Sequence, residues 1–373
     1  MKIKIGCIGC GWIVEHAHIP ALLKIEDVEI TAVFDTDNTR VKRLAAMFPI
    51  KNAYYDIDDF MNSGIDAVII ATPNYTHAAY SLQAMKHKIH VLCEKPVAIF
   101  TKDMTEILNT AQKENVVFLP GFVNRFRYDI LKLRELIFSN VIGEVIGINA
   151  GWIRRAGVPR PGTWFTSKEH AGGGVLIDLG SHIIDICLML FGNGLLKDTY
   201  LWTSMNRIDT DSGNAAKWFN GNYSSSFPVN VEDTAYAKFE YYSNRVITVK
   251  LSWSAAIKGD CTYFDIIGTK GKIKLKTLFG FSNDRLLKED SLVIDKNERE
   301  TIVFHLDQGT NYATNAFTDM EKYFIKAIRG CKDDYLSSID ALKTVQVIEQ
   351  LYKNEKMASV LFDENCLEDF IYE

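Results

Sequence analysis

Asp178, His182 and Asp185 fall four and then three residues apart. On a regular helix this spacing sets two carboxylates and an imidazole along one face. An imidazole beside a carboxylate is a pairing that moves protons near neutral pH. The same side chains would also serve a salt-bridged helix or a metal site. Nothing else in the sequence completes a ligand set, however, and no metal is expected. Gly172-Gly173-Gly174 stands just before them and predicts close approach of the backbone to a ligand. A cation supplies the second chemical element. Lys95, in Glu94-Lys95-Pro96, follows a strand pattern, and ligands gather at strand ends in open sheets. Pro96 restricts the main chain beside it.

A third group of residues points to a dinucleotide. Gly9-Cys10-Gly11 follows the strand pattern Ile3–Ile8 and opens a helix. The first glycine makes the tight turn and the second lets the main chain approach a pyrophosphate. Free N–H groups at the helix start, from Trp12 and Ile13, would then receive the phosphate charge. Val14 stands where glycine or alanine usually lets the helix pack closely, so a displaced helix is expected. Asp35 ends the next strand. A carboxylate there binds ribose hydroxyls and repels a 2′-phosphate, so the expected cofactor is NAD rather than NADP. Capping the following helix is its other possible use. Arg40 is expected on a solvated helix face. Thr72, Pro73 and Asn74 close a further strand and are expected beside the cofactor, together with Glu94 and Lys95. His77 fits either that role or the first turn of a helix. Cys7 and Cys10 have C-x-x-C spacing, but they lie inside the Gly-rich turn, which favours a structural role over redox or metal chemistry.

These residues need a scaffold, and the sequence describes one. The first 122 residues alternate apolar strand runs (Ile3–Ile8, Glu29–Phe34, Ala67–Ala71, His90–Leu92, Val116–Leu119) with helical patterns near 17–25, 39–48, 57–61, 76–86 and 101–114. This predicts an α/β doubly wound Rossmann domain over residues 1–122, with a parallel sheet covered on both faces. From residue 123 to 373 the pattern changes. A helix (128–138) precedes a strand (144–152), a long helix (Val175–Phe191) and strand patterns from Leu201 to Ile302. Two helices follow, at 316–329 and 338–353, and Gly268-Thr269-Lys270-Gly271 predicts a hairpin. The expectation is an α+β domain with a large, mostly antiparallel sheet. Asp209–Pro228, rich in Asn, Ser and Gly, reads as a mobile loop.

Composition narrows the function further. The chain has 373 residues, 47% hydrophobic and 24% charged, with net charge −5, which suits two soluble domains. No basic stripe suggests a nucleic-acid partner. Apolar runs such as Ile183–Phe191 fall short of a membrane span. The first residues already form a strand pattern, so no signal segment is expected. Seven cysteines, an odd number in mostly apolar surroundings, suit reduced thiols and a cytoplasmic setting.

One ordered set of motifs runs along nearly the whole chain. It comprises Gly9-Cys10-Gly11, Ala71-Thr72-Pro73-Asn74 with His77, Glu94-Lys95-Pro96, Asn124-Arg125-Phe126, the run from Gly172 to His182, Glu232-Asp233-Thr234-Ala235, and Gly268–Gly271. In this the sequence resembles the Gfo/Idh/MocA family of oxidoreductases. The resemblance implies that Lys95, Asp178 and His182 act together at a substrate carbon. The activity it implies is NAD-dependent movement of a hydride to or from a hydroxyl-bearing carbon of a sugar, cyclitol or glycoside. Elementary chemistry agrees. Hydride leaves a carbinol easily only if the hydroxyl proton is removed, a task for His182. Lys95 would stabilise the developing alkoxide, and Asp178 would orient His182 or bind a neighbouring hydroxyl. Asn124, Arg154, Arg155 and Trp164, with Phe165, are expected to contact the substrate. Aromatic faces suit a sugar ring and adjacent arginines suit a phosphate or carboxylate, unless the arginines are simply solvated. The resemblance also implies a homodimer or homotetramer. Two other readings stay open. One is a lyase or glycosidase that retains NAD and oxidises its substrate transiently. The other is a non-catalytic NAD-binding sensor, against which the joint presence of Lys95, Asp178 and His182 counts.

Overall fold

A computed structural model describes the chain apart from residues 193, 206–225, 283, 297–299, 306–311, 332–334 and 358–373. Most of the loop expected at Asp209–Pro228 therefore lies outside the described residues. The chain divides into two units: Met1–Phe126 with Thr314–Gln346, and Arg127–Ala313 with the segment from Val347. A continuous second domain from 123 is thus not what forms. The chain returns to the first unit, where Phe317 and Glu321 are buried against His18.

In the first unit β1 (Ile3–Ile8), β2 (Val28–Phe34), β3 (Asn52–Tyr54), β4 (Ala67–Ile70), β5 (His90–Glu94) and β6 (Phe118–Gly121) form a parallel sheet. Their order is β3-β2-β1-β4-β5-β6. Strands covered on both faces read as unbroken apolar runs, and all four residues of β4 are buried accordingly. The order reverses between β1 and β4, which opens a crevice at their carboxyl ends. The sequence pattern misses β3, a three-residue edge strand with no buried residue.

The second unit holds a nine-stranded sheet of β7 (Val145–Ile153), β8 (Leu196–Ser204), β9 (Thr234–Tyr241), β10 (Val246–Ser252), β11 (Cys261–Gly268), β12 (Gly271–Thr277), β13 (Ser291–Lys296), β14 (Glu300–His305) and β15 (Glu355–Met357). The order is β14-β13-β12-β11-β7-β10-β9-β8-β15. Pairing is antiparallel except for β10 with β7 and β15 with β8. Alternate residues of β9, such as Ala235, Ala237, Phe239 and Tyr241, face a core shared with the helices Tyr128–Phe138 and Ser181–Phe191. Burying each large apolar side chain there contributes about 1.5–3 kcal/mol.

The expected helix Val175–Phe191 forms with a change of phase. Leu176–Gly180 is π-helical and Ser181–Phe191 is α-helical. A π turn widens the helix by one residue, so Asp178, His182 and Asp185 do not lie on one regular α face. Together with Lys168–Ala171 this stretch is long and apolar enough to pass for a membrane span by composition. It is instead the core helix of its unit.

Candidate active site

In the first unit the expected residues gather at the carboxyl ends of β1, β2, β4 and β5. Gly9 has φ +95°, and a Cβ there would lie 2.4 Å from the Ala71 carbonyl oxygen. Only glycine lets β1 turn so tightly against the end of β4. Gly11 faces open space, with nothing within 4 Å of where a side chain would stand. That is the room a pyrophosphate needs beside a helix start, so the turn fits NAD. Trp12 and Ile13 lead into the helix half-buried, and Trp12 stacks on His16 with ring centroids 4.6 Å apart. Val14 is fully buried, and Val14–His18 is π-helical, wider than an α turn.

Asp35 holds this turn with both carboxylate oxygens. Oδ2 accepts from the Cys10 N–H at 2.7 Å and Oδ1 from the Asp37 N–H at 2.9 Å. The cap of the next helix is Asp37, which also pairs with exposed Arg40 at 3.3 Å. Cys7 and Cys10 are free thiols; burial pushes both pKa values up, that of Cys10 to about 12. Neither is a thiolate at neutral pH.

Thr72 and Pro73 are half-buried and Asn74 is buried at the end of β4. His77 has a structural use. Its Nδ1 lies 2.8 Å from the Pro96 carbonyl oxygen and its Nε2 2.8 Å from that of Thr72. Burial lowers its pKa, and the two carbonyls oppose that shift. The ring braces the Thr72 segment against the cis Lys95-Pro96 peptide. Glu94 is likewise turned inward. Its Oε2 accepts from the Lys95 N–H at 3.1 Å, and its Oε1 lies 3.0 Å from Nε2 of His18. Lys95 itself is half-buried. Asn124 is buried beside Arg125, whose guanidinium meets Asp340 at 3.0 Å and the Tyr335 carbonyl at 3.2 Å.

In the second unit Asp178 and His182 lie among Trp152, Arg154, Trp253 and Asp260. The Trp253 indole N–H donates to Oδ2 of Asp178 at 3.0 Å. The His182 and Trp152 rings are 6.0 Å apart, and the Arg154 guanidinium stands 5.9 Å from the Trp152 ring. Arg154 is 3% exposed and its Nε is 3.6 Å from Oδ2 of Asp260. Burial lowers its pKa, while the Asp260 and Asp178 carboxylates favour its charged form. Arg154 is therefore no solvated loop residue. Arg155 turns away: it is half-exposed, with Nε 2.6 Å from Oδ2 of Asp284 and its main-chain N–H on Asp260 at 2.7 Å. Trp164 stacks on Phe165 at 3.7 Å between centroids, both half-buried.

The glycine run is filled by the protein itself, which corrects the expectation of a ligand there. A Cβ on Gly173 would lie 1.9 Å from the Tyr352 hydroxyl, and one on Gly174 would lie 2.0 Å from the Glu232 carbonyl oxygen. The Glu232 carboxylate then accepts from the Gly174 N–H at 3.0 Å, the Leu176 N–H at 3.1 Å and the Tyr352 O–H at 2.7 Å. These bonds hold the start of the π turn that carries Asp178.

Comparison with known proteins decides the family. Residues 3–122 match the oxidoreductase family with NAD-binding Rossmann fold of GFO/IDH/MocA, and residues 130–274 match the GFO/IDH/MocA C-terminal domain. The chain belongs to the Gfo/Idh/MocA family. It is an oxidoreductase with an NAD-binding Rossmann domain. It is similar to the D-glucoside 3-dehydrogenase of Escherichia coli (strain K12), 29% identical over 69% of this chain and 72% of that one. It is also similar to the glucose-6-phosphate 3-dehydrogenase of Bacillus subtilis (strain 168), 29% identical over 74% of each chain. The solved structure of levoglucosan dehydrogenase, a complex with NADH and levoglucosan, shares the fold. Its TM-score is 0.78 at 19% identity, over 95% of this chain and 97% of that one.

Several residues of the cluster in each unit have no signal in the sequence. Trp152 and Trp253 sit in or just after apolar strand runs and read as core. Parallel pairing of β7 with β10 sets Ile153 opposite Ser252, and the Arg154 N–H donates to the Ser252 carbonyl at 2.9 Å. Only that long-range pairing brings Arg154 and Trp253 together. His18 and Glu321 are hidden for the same reason, being 303 residues apart in the chain.

Proposed function

We propose that this protein transfers a hydride between NAD and a secondary hydroxyl or keto carbon of a sugar, cyclitol or glycoside. The observation that carries the reading is the second unit's cluster of His182, Asp178, Arg154, Trp152 and Trp253, an acid–base group beside two buried indoles and a buried cation. Apolar ring faces with a few fixed polar groups are what a sugar ring requires. Named relatives that act on a glucoside and on glucose 6-phosphate support the same class.

NAD would be held by the Gly9–Gly11 turn, the helix start at Trp12 and Ile13, and the segment Thr72–Asn74. When bound it supplies the hydride acceptor. Asp35, with Asp37 beside it, sets negative charge where a 2′-phosphate would lie and favours NAD over NADP. His182 takes the hydroxyl proton in the oxidative direction and returns it in the reductive one. Asp178, fixed by the Trp253 indole, orients the imidazole or a neighbouring hydroxyl. Lys95 stabilises the alkoxide as it develops. Arg154 and Asn124 hold the rest of the substrate.

A homodimer or homotetramer completes the reading. Tyr200, Trp202 and Tyr236 form a half-buried aromatic row on the nine-stranded sheet, with centroids 6.0 and 5.6 Å apart, the kind of face that pairs with a second copy. A cytoplasmic setting fits the free cysteines Cys7, Cys10, Cys93, Cys187, Cys261 and Cys331.

The test is to incubate the purified protein with NAD and a panel of sugars, inositols and glycosides, following NADH by absorbance and products by mass spectrometry. NADH formed with one substrate is the expected result. A product formed without NADH would replace the dehydrogenase by an enzyme that oxidises only transiently.

A further inference from the structure

We propose that His18 is a positioning residue for Lys95, tying the lysine's main chain to the helix that leaves the dinucleotide turn. This rests on the reading of Lys95 as a group that meets the substrate. The imidazole is wholly buried in the first unit and bridges two carboxylates distant in sequence. Its Nε2 lies 3.0 Å from Oε1 of Glu94, and the other oxygen of that carboxylate accepts the Lys95 N–H at 3.1 Å. Its Nδ1 lies 2.9 Å from Oε1 of Glu321, on the helix Tyr312–Ile328. Phe317 of the same helix meets the ring edge-on, with centroids 5.0 Å apart.

With a carboxylate at each nitrogen, the ring donates twice and is a cation. Burial opposes that charge, but the hydrogen bonds with Glu321 and Glu94 outweigh it and raise the His18 pKa to about 9. Glu321 keeps one oxygen buried with no hydrogen-bond partner among the described residues, and burial raises its carboxyl to about 7. A buried cluster of this kind adds little stability over apolar packing of the same volume. What it adds is direction. Glu94 can turn neither outward nor along β5 without taking the acceptor from the His18 Nε2–H, so the Lys95 N–H keeps a fixed acceptor. The lysine thus starts from the same place each time, and a displacement near 1 Å at a reacting group costs on the order of a hundredfold in rate.

Two measurements on the full-length chain test this. The first is hydrogen exchange at the Lys95 amide, resolved by mass spectrometry. His18→Gln is expected to speed that exchange about tenfold or more while NAD affinity stays within about threefold. Unchanged exchange would overturn the proposal. Glu321→Gln, which leaves an acceptor for Nδ1–H, does the same in smaller measure and serves if His18→Gln folds poorly. The second is a double-mutant cycle on whichever panel sugar yields NADH. His18→Gln is expected to lower kcat about tenfold in the native background and less than about twofold in Lys95→Ala. Equal losses in both backgrounds would overturn the link between His18 and Lys95. Full turnover in Lys95→Ala alone would instead overturn the role of Lys95 itself.

Discussion

Each unit fixes its chemical segment with buried carboxylates, and the two are satisfied in opposite ways. In the second unit Glu232 meets neutral donors, the Gly174 and Leu176 N–H groups and the Tyr352 O–H. In the first, Glu94 and Glu321 meet a charged ring, His18. A carboxylate wired to main-chain donors depends on backbone geometry. One paired with an imidazolium depends on a proton. The first brace should therefore fail when the main chain is moved, and the second when the pH is raised.

Moving the main chain gives the largest effect. Gly174→Ala would place a Cβ 2.0 Å from the Glu232 carbonyl, so the backbone at the π turn must shift and Glu232 loses its donors. The expected loss is about 3 kcal/mol or more, read by thermal or urea unfolding of the second unit. Stability like that of the native chain would mean that the glycines are not required by packing.

Raising the pH separates the two braces more finely. The His18 pKa is about 9 in the folded chain against an ordinary 6.5. The folded state thus keeps a proton that the unfolded state has lost, and stability falls as pH rises between those values. Glu321, raised from 4.5 to about 7, acts in the same direction at lower pH. The melting temperature should fall by several degrees more between pH 6.5 and 9 in the native chain than in His18→Gln. Parallel curves for the two proteins would remove the proton from the His18 brace.

The smallest effect is expected at Arg155. Its guanidinium meets Asp284 at a half-exposed site, and such a pair contributes about 0–1 kcal/mol. Arg155→Ala should change stability by less than about 1 kcal/mol and kcat by less than about threefold. A large loss of kcat would return this arginine to the substrate.

The same contrast decides what the sequence can tell. The dinucleotide turn was legible because its determinants are local: Gly9, Gly11 and Asp35 act within one βαβ stretch, and apolar runs mark β1, β2, β4 and β5. The edge strand β3 was not, since three partly exposed residues carry no apolar run. Asp178 and His182 stand out by helical spacing, but the spacing does not show the π turn that changes their phase. The glycines before them looked like space for a ligand and are instead filled by Glu232 and Tyr352, residues whose approach depends on tertiary packing. His18 read as one more helix residue because both of its partners come from far along the chain. His77 offers an even choice in the sequence, because its contacts with the Pro96 and Thr72 carbonyls depend on tertiary packing.

In the proposed reaction His182 handles the proton of an NAD-dependent oxidation. The direct measurement is kcat of His182→Ala on the substrate found by the panel, with NAD affinity determined alongside. The expected result is a fall of about 10²–10⁴ in turnover, the contribution of a positioned acid–base group, with NAD binding nearly unchanged. Native turnover in that variant would contradict the account and take His182 out of the chemistry.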